Sequence, residues 1–236
     1  MSANNDKYYQ ERMVLQPGAN EVSPAAYNAI IGGVLLYGFI VDALIVALFK
    51  GRAITMMTTN PSGYTVNLLV MAGVYIVCCI VGSLMVHRSD NPVVSFIGFN
   101  LFAVPIGFIL AYATIPFYSS GTIARAFVLT AIITGVMMAI STLLPDTFLS
   151  MGKTLFISLL VCIVVDLLAI FIFHIDLIVI DYAVTFIFAL FVGYDWARAN
   201  QCVKTVDNAV DSAAELYIDI INLFLRILSI LARAND

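Results

Sequence analysis

The sequence predicts an all-α integral membrane protein, a bundle of seven transmembrane helices with the C-terminal helix in its centre. Hydrophobic residues make up 62% of the 236 residues and charged residues only 11%, and the mean hydropathy is +1.01. Soluble domains of this size are rarely so apolar. The apolar runs are unbroken, whereas the strands of a membrane β-barrel would appear as short alternating segments. Helices in a single domain are therefore expected.

Three parts are expected along the chain: a polar N-terminal tail over 1–23, a transmembrane domain over 24–231 and a short C-terminal tail over 232–236. The first of these has no apolar core of the kind that signal peptides carry. Ser23-Pro24 is typical of an N-cap followed by proline at the first helical position. The six spans before the last one are expected at about 26–49, 64–86, 93–115, 122–144, 152–173 and 177–198.

Most connections between these spans are expected to be short turns. The exceptions are a loop over 50–63, which ends in the turn sequence Asn-Pro-Ser-Gly, and a polar hairpin over 199–210. Pro145 is expected to end the fourth helix, because proline cannot continue a helix ladder. His174-Ile175-Asp176 is expected to form a tight connection between the fifth and sixth helices.

The last span, 211–231, is long enough to cross a bilayer and yet carries charge. At about 100° per residue, its strongly polar side chains fall within an arc of about 80°. A carboxylate facing lipid would be costly, so this stripe is predicted to face the interior of the protein. The members of the stripe are Asp211, Glu215, Asp219, Asn222 and Arg226.

Asp195, near the end of the sixth helix, and Asp219, in the last one, are expected to meet. Residue 207 lies midway between them, which places them at matching depth if the two helices are antiparallel neighbours. Two carboxylates in contact and away from water cannot readily both ionise, so they share a proton that titrates nearer neutral pH. The alternative is that Asp195 lies in interfacial water and Asp219 pairs with Arg226.

Three further residues each allow more than one interpretation. Glu215 belongs to the polar stripe, but Ser212 to Glu215 also fits a capping box at a helix start. Arg88 closes the second helix on the side of the hairpin, where it is a candidate counter-charge to the aspartate pair or an interface anchor. Asp42, inside the first span, either reaches the interface or pairs, or else belongs to a polar pathway.

Several classes of function are excluded by composition and motifs. A net charge of −4 argues against nucleic acid as a partner. A retinal receptor requires a lysine well inside a helix, but the lysines here lie at the ends of predicted spans or in loops. Both histidines, His87 and His174, fall in predicted turns rather than in a protease motif. We therefore expect neither enzyme activity nor a cofactor. The cysteines have no metal or disulfide spacing and are interpreted as packing residues: Cys78, Cys79, Cys162 and Cys202.

Residues 216–228, LYIDIINLFLRIL, resemble the C-terminal signature of the Bax inhibitor motif transmembrane family. The last helix of that family typically reads Leu-Tyr-Leu-Asp-Phe-Ile-Asn-Leu-Phe followed by leucines. Gly193-Tyr194-Asp195 stands where the family carries a tyrosine-aspartate at the end of its sixth helix. The resemblance is specific over 190–231 and elsewhere is one of architecture, through the seven-helix count.

This resemblance implies a membrane protein that lets calcium leak down its gradient in a pH-dependent way, with a role in ion homeostasis or in suppressing cell death. It implies Asp195 and Asp219 as the proton sensor, and as candidates for a calcium site, with Arg88 as their latch. Some relatives carry a glutamate in the second helix, where this chain has Val77, Cys78 and Cys79. The alternative is a regulatory protein without transport that acts on partner membrane proteins such as a protease or channel.

The lysine-rich tail of the eukaryotic members is missing here, and the loops are minimal. Both features favour a bacterial cell (inner) membrane. Lysine and arginine are slightly more frequent on the side of the N-terminus, which favours a cytoplasmic N-terminus. The expected partners are the lipid bilayer, calcium ions and partner membrane proteins.

Overall fold

The computed structural model describes residues 10–16, 18–114, 121–169, 172 and 178–234. Within these ranges the named elements are all helices, and one isolated antiparallel bridge joins Glu21 to Thr205. The predicted all-helical class is confirmed. The helices are α1 (Pro24–Thr59), α2 (Pro61–Arg88), α3 (Pro92–Ala113), α4 (Thr122–Leu143), α5 (Pro145–Ser150), α6 (Gly152–Leu168), α7 (Ile178–Gln201) and α8 (Val206–Arg233).

Five of these helices are long and apolar enough to cross a bilayer, namely α1, α2, α3, α4 and α7. α6 has 17 residues, and residues 170, 171 and 173–177, which follow it closely, lie outside the described residues. α8 is long enough, but charged side chains interrupt its apolar sequence. A chain that crosses the membrane several times is therefore supported, while the exact number of seven spans stays a prediction.

The start of α1 follows the prediction, because the Ser23 hydroxyl accepts a hydrogen bond from the Ala26 N–H at 3.2 Å and Pro24 is the first helical residue. The loop predicted over 50–63 is wrong, since α1 continues through it to Thr59. The first helix-breaking sequence after Lys50 is Asn-Pro at positions 60 and 61, so nothing earlier ends the helix. Asn60 alone separates α1 from α2, and its side chain caps α2 by accepting from the Gly63 N–H.

The hairpin predicted over 199–210 is also too long, because α7 reaches Gln201 and α8 begins at Val206. The Thr205 hydroxyl accepts from the Asn208 N–H at 3.2 Å, so the helix starts there rather than at the predicted residue 211. Ser212 to Glu215 consequently lie inside α8, and the capping-box interpretation of Glu215 is wrong.

Two other predicted connections have different outcomes. α4 ends at Leu143 as expected, but Pro145 also opens a further short helix, α5, in which it occupies the first turn. The predicted connection over 174–176 lies outside the described residues, as do the outermost parts of both predicted tails.

The chain divides into two compact units. The first unit comprises Met1–Pro116 with Gln201–Tyr217, and the second comprises Phe117–Asn200 with Ile218–Asp236. The first half of α8 thus belongs to one unit and its second half to the other. Between Asp207 and Arg233 no residue of α8 is exposed, as expected for a helix whose polar stripe avoids lipid.

In the first unit, α2 and α3 approach each other to backbone contact. A Cβ at Gly82 would lie 2.8 Å from the Gly98 carbonyl oxygen, and one at Gly98 would lie 2.9 Å from the Gly82 carbonyl oxygen. Small residues at the crossing allow this close packing, as is common between membrane helices. α1 packs on α3 as well. Gly38 of α1 lies against the ring of Phe99 of α3 and against the ring of Tyr217 of α8.

In the second unit, α4, α7 and α8 share one apolar core. Its buried members include Ala126 of α4, Ala189 of α7 and Leu223 of α8. Gly193 of α7 lies against the ring of Phe148 of α5. By contrast, large apolar side chains on α4 and α6 are exposed, which is expected where lipid would cover them.

Candidate functional site

The first half of α8 presents a polar side chain on successive turns, and Arg12 of the N-terminal segment binds them. Its guanidinium donates to the Asn208 side-chain oxygen at 3.1 Å, to the Asn208 carbonyl at 2.8 Å and to the Ser212 hydroxyl at 2.7 Å. The Glu215 carboxylate lies 3.4 Å from the same guanidinium. Arg12 is only 5% exposed. Its buried charge is therefore compensated by a carboxylate and several acceptors.

Backbone contacts hold the N-terminal segment on the connection between α7 and α8. The Val203 N–H donates to the Arg12 carbonyl at 2.9 Å, and the Val22 N–H donates to the Lys204 carbonyl at 2.7 Å. The Lys204 ammonium lies 4.6 Å from the centre of the Tyr27 ring, a cation–π contact. Burial lowers the pKa of Lys204. The predicted polar tail is thus an ordered part of the first unit over these residues.

A polar cavity of about 100 Å³ lies beside this segment, at the end of α2. Arg88, the predicted latch, lines it together with Asp90, Asp207 and Asp211. Asp211, the first member of the predicted stripe, is buried here. The structure therefore places Arg88 and Asp211 at one polar site of the first unit.

Two more contacts define the edge of this cavity. The Ser95 hydroxyl donates to the Asp207 carboxylate at 2.9 Å. Burial raises the pKa of Asp207, and the negative charge of Asp90 raises it further. His87 Nε2 lies 3.8 Å from the Glu215 carboxylate, so Glu215 is approached by two basic side chains. This end of α8 is consequently crowded with ionisable groups.

Asp195, the first of the predicted pair, lies in α7 and is 8% exposed. Arg198 lies one turn further along the same helix, with its guanidinium 3.4 Å from the Asp195 carboxylate. The same guanidinium packs on the Tyr194 ring, 4.9 Å from its centre. Arg198 was not among the residues predicted for the site, although its i, i+3 spacing from Asp195 was the available signal.

Asp219, the second of the pair, lies in α8 and is also 8% exposed. Ala189 of α7 and Leu223 of α8 belong to the same apolar core cluster of the second unit. Toward the connection between the two helices, Asp195 lies about 9 Å along α7 from Ala189, and Asp219 lies about 6 Å along α8 from Leu223. Both aspartates thus lie between this cluster and the connection.

The alternative interpretation of these aspartates does not agree with the structure. Asp195 is buried rather than in interfacial water. Arg226 donates to Asp181 and approaches Asp166 at 3.8 Å, so among the described residues its acidic partners are these two and not Asp219. The pairing of Asp195 with Asp219 stays a prediction.

The far end of α8 carries a second ionic cluster, centred on Asp181 of α7. Its carboxylate, on a residue 4% exposed, accepts from Arg226, from the Ser229 hydroxyl at 3.2 Å and from Arg233 at 3.0 Å. Asn222 bonds within α8, to the Ile218 carbonyl at 2.8 Å. Arg226 was predicted to belong to the stripe, but its pairing with Asp181 was not predicted, because spacing within one helix gives no information about a neighbouring helix.

No group of three or more His, Cys, Asp or Glu side chains that could hold a metal ion is found among the described residues. The four cysteines are free thiols. Asp195 and Asp219 as calcium ligands therefore remain a prediction that rests on the resemblance.

Comparison with known proteins gives a family match over nearly the whole chain. The model of the family described as inhibitor of apoptosis-promoting Bax1 matches residues 20–236. Proteins from two strains of Helicobacter pylori, each described as an uncharacterized protein, are 32% identical over 117 residues, which is 49% of this chain and 50% of theirs. The chain thus spans about half the length of the curated relatives it matches.

Proposed function

The chain belongs to the Bax inhibitor family, described as inhibitors of apoptosis-promoting Bax1, and from this premise we propose that it is a pH-sensitive leak channel for calcium or similar cations. With five apolar helices of sufficient length, it is a multi-pass integral membrane protein. The proposal extends to ion homeostasis or stress suppression in a bacterial inner membrane. It includes seven spans, a central α8 and a cytoplasmic N-terminus.

The observation that carries the proposal is the burial of Asp195 and Asp219 on two neighbouring helices. At low pH a proton held between two such carboxyls allows them to hydrogen-bond and keeps α7 and α8 joined. Once that proton is lost, two like charges about 4 Å apart repel by about 4 kcal/mol at an effective dielectric near 20. That energy is enough to shift a conformational equilibrium between a closed and an open arrangement.

A positive charge beside the pair tunes this balance. Arg198, 3.4 Å from the Asp195 carboxylate, is the counter-charge that the contacts support. Arg88 keeps its predicted role as a latch on the strength of the resemblance, and its position in the polar cavity of the first unit gives it acidic neighbours of its own. The two arginines are therefore separate candidates, and substitution distinguishes them.

The proposed function is tested by calcium flux through purified protein in liposomes, measured over a pH series. We expect flux whose rate depends on pH, and we expect that dependence to disappear in Asp195→Asn and in Asp219→Asn, because an amide cannot titrate. Asp146→Asn is the matched control, since Asp146 is an exposed acid of the second unit. It should retain the parent's profile.

Two results would count against the proposal. Absence of flux at every pH, from protein that is folded and correctly inserted, would contradict channel activity and favour a regulatory role on partner membrane proteins. Flux whose pH profile is unchanged in both aspartate variants would retain the channel but show that the pair is structural.

A further inference from the structure

Asp42 is a carboxyl group near the middle of α1, the helix that Pro24–Thr59 forms. It is 5% exposed, and the Tyr217 hydroxyl of α8 donates to its Oδ2 at 2.6 Å. The interpretation that the Asp42 side chain reaches the membrane interface is therefore wrong. A buried acid within a spanning helix is uncommon and is usually associated with function.

The charge of an ionised Asp42 has no compensation among the described residues. No lysine, arginine or histidine there forms an ion pair with it, in contrast to Asp181 and Asp195. Its Oδ1 is buried and has no hydrogen-bond partner in that part of the chain. An anionic oxygen left in this way is costly, and a buried carboxyl without a cation commonly stays neutral by keeping its proton.

Among the described residues, the ionisable groups found beside Asp42 are tyrosines, which are neutral near physiological pH. From α2, Tyr75 lies close enough to Asp42 to interact with it electrostatically, and the side chain of Cys79 is hydrogen-bonded to that of Tyr75. From α3, Gly107 packs so closely that a Cβ there would lie 3.1 Å from Asp42 Oδ1. The one ionisable side chain in the sequence of α3 is Tyr112, and its hydroxyl accepts from Asn67.

We propose that Asp42, Tyr217 and Tyr75 form a proton-binding site inside the membrane, separate from the Asp195 and Asp219 pair, in which Asp42 Oδ1 carries the proton. Oδ2 is then the carbonyl oxygen that accepts from the Tyr217 hydroxyl. A neutral O–H at Oδ1 costs less to leave without an acceptor than an anionic oxygen does. The ligand of the site is a proton, and the site does not depend on leak activity.

Infrared spectroscopy of the protein in liposomes tests this proposal, because the C=O stretch of a protonated carboxyl is distinct from that of a carboxylate. At neutral pH we expect a protonated-carboxyl band that shifts in D₂O and is lost in Asp42→Asn. The band should persist in Asp195→Asn, which separates this site from the proposed sensor. Asp146→Asn, at an exposed aspartate, is the control and should not alter it.

Tyr217→Phe provides an independent readout that a purely structural role would not give. Removing the hydroxyl removes the hydrogen bond to Oδ2, so the band should move to higher frequency and remain present. Tyr182→Phe, at a tyrosine 55% exposed, should leave it in place. If Asp42→Asn does not fold, this shift alone decides the assignment.

The proposal is overturned if no protonated-carboxyl band at neutral pH responds to either Asp42→Asn or Tyr217→Phe. That result would mean that Asp42 is ionised, for example with a bound cation. It would leave the proposed channel function untouched, since the flux experiment reads a different pair of residues.

Discussion

The guanidinium of Arg12 donates to the Ser212 hydroxyl at 2.7 Å, so a residue of the N-terminal segment is part of the polar face of α8. Arg12→Ala should destabilise the protein by about 3 kcal/mol, because it removes several charge-assisted hydrogen bonds of a buried arginine and leaves the half-buried Glu215 carboxylate without this partner. The measurement is the midpoint of thermal unfolding in detergent. Arg52→Ala, at an exposed arginine, should change it little; equal effects would contradict an anchoring role for Arg12.

The close approach of α2 and α3 predicts a strong effect of a single methyl group. Gly82→Ala places a Cβ 2.8 Å from the Gly98 carbonyl oxygen, a backbone atom that moves only if the helices separate. We expect a loss of about 1–3 kcal/mol, as for other overpacked sites. The thermal midpoint measures it.

Gly73→Ala is the matched control for this change. Gly73 lies in the same helix, α2, and a Cβ there would have open space around it. The added methyl should be neutral or stabilise the helix by up to about 1 kcal/mol. A loss at Gly73 as large as that at Gly82 would show that helix propensity, and not the α2–α3 contact, explains both.

Asp207 gives a pH dependence whose sign follows from its surroundings. It lies in the first turn of α8, ahead of the segment predicted to span the bilayer, and burial raises its pKa above the ordinary 3.8. The folded protein therefore holds this proton more tightly than the unfolded chain does. The stability that results is complete below the ordinary pKa of 3.8, which applies to the unfolded chain, and is lost as pH rises through the raised pKa of the folded state.

Asp207→Asn should remove this loss, because the amide does not titrate. The thermal midpoint of the variant, relative to that of the parent, should increase as pH rises above the ordinary pKa of 3.8. Asp146→Asn, at an exposed acid, should follow the parent throughout. A variant whose midpoint runs parallel to the parent's would show that Asp207 does not contribute to the pH dependence.

The two candidate counter-charges can be ranked by flux. Arg198→Gln removes the positive charge 3.4 Å from Asp195, so a proton on the aspartate pair should be retained to higher pH. We expect the midpoint of the pH response to rise by about one pH unit. Arg88→Gln should produce a comparable shift if the residue is a latch. If it changes only expression or insertion, Arg88 does not belong to the sensor.

The sequence was sufficient to predict the long helices before α8 and the polar stripe of α8, because both depend on local composition and helical period, whereas the short helix α5 was not predicted. It misplaced the ends of α1 and α8 because Lys50, Arg52, Asp207 and Asn208 were interpreted as loop residues. Polar side chains end a membrane span, but they do not end a helix. The length of the segment that lies in the bilayer therefore differs from the length of the helix that contains it.

The partners of the stripe could not be predicted in the same way. Arg12 and Ser212 are 200 positions apart, and only tertiary packing brings them together. Asp181 and Arg226 are 45 positions apart on different helices. A period of 3.6 residues says which side chains share a face of one helix, but it cannot say which side chains of other elements that face meets.

The length of α1 bears on how the sidedness of the protein can be determined. Its 36 residues extend for about 54 Å, whereas the hydrocarbon core of a bilayer is about 30 Å thick. Even with a moderate tilt, α1 therefore has several turns outside the hydrocarbon core, and the charged residues Lys50 and Arg52 indicate that its C-terminal part is the end that leaves the membrane. An impermeant lysine reagent or an added protease, applied to intact cells, would modify this stretch only if it lies on the outside.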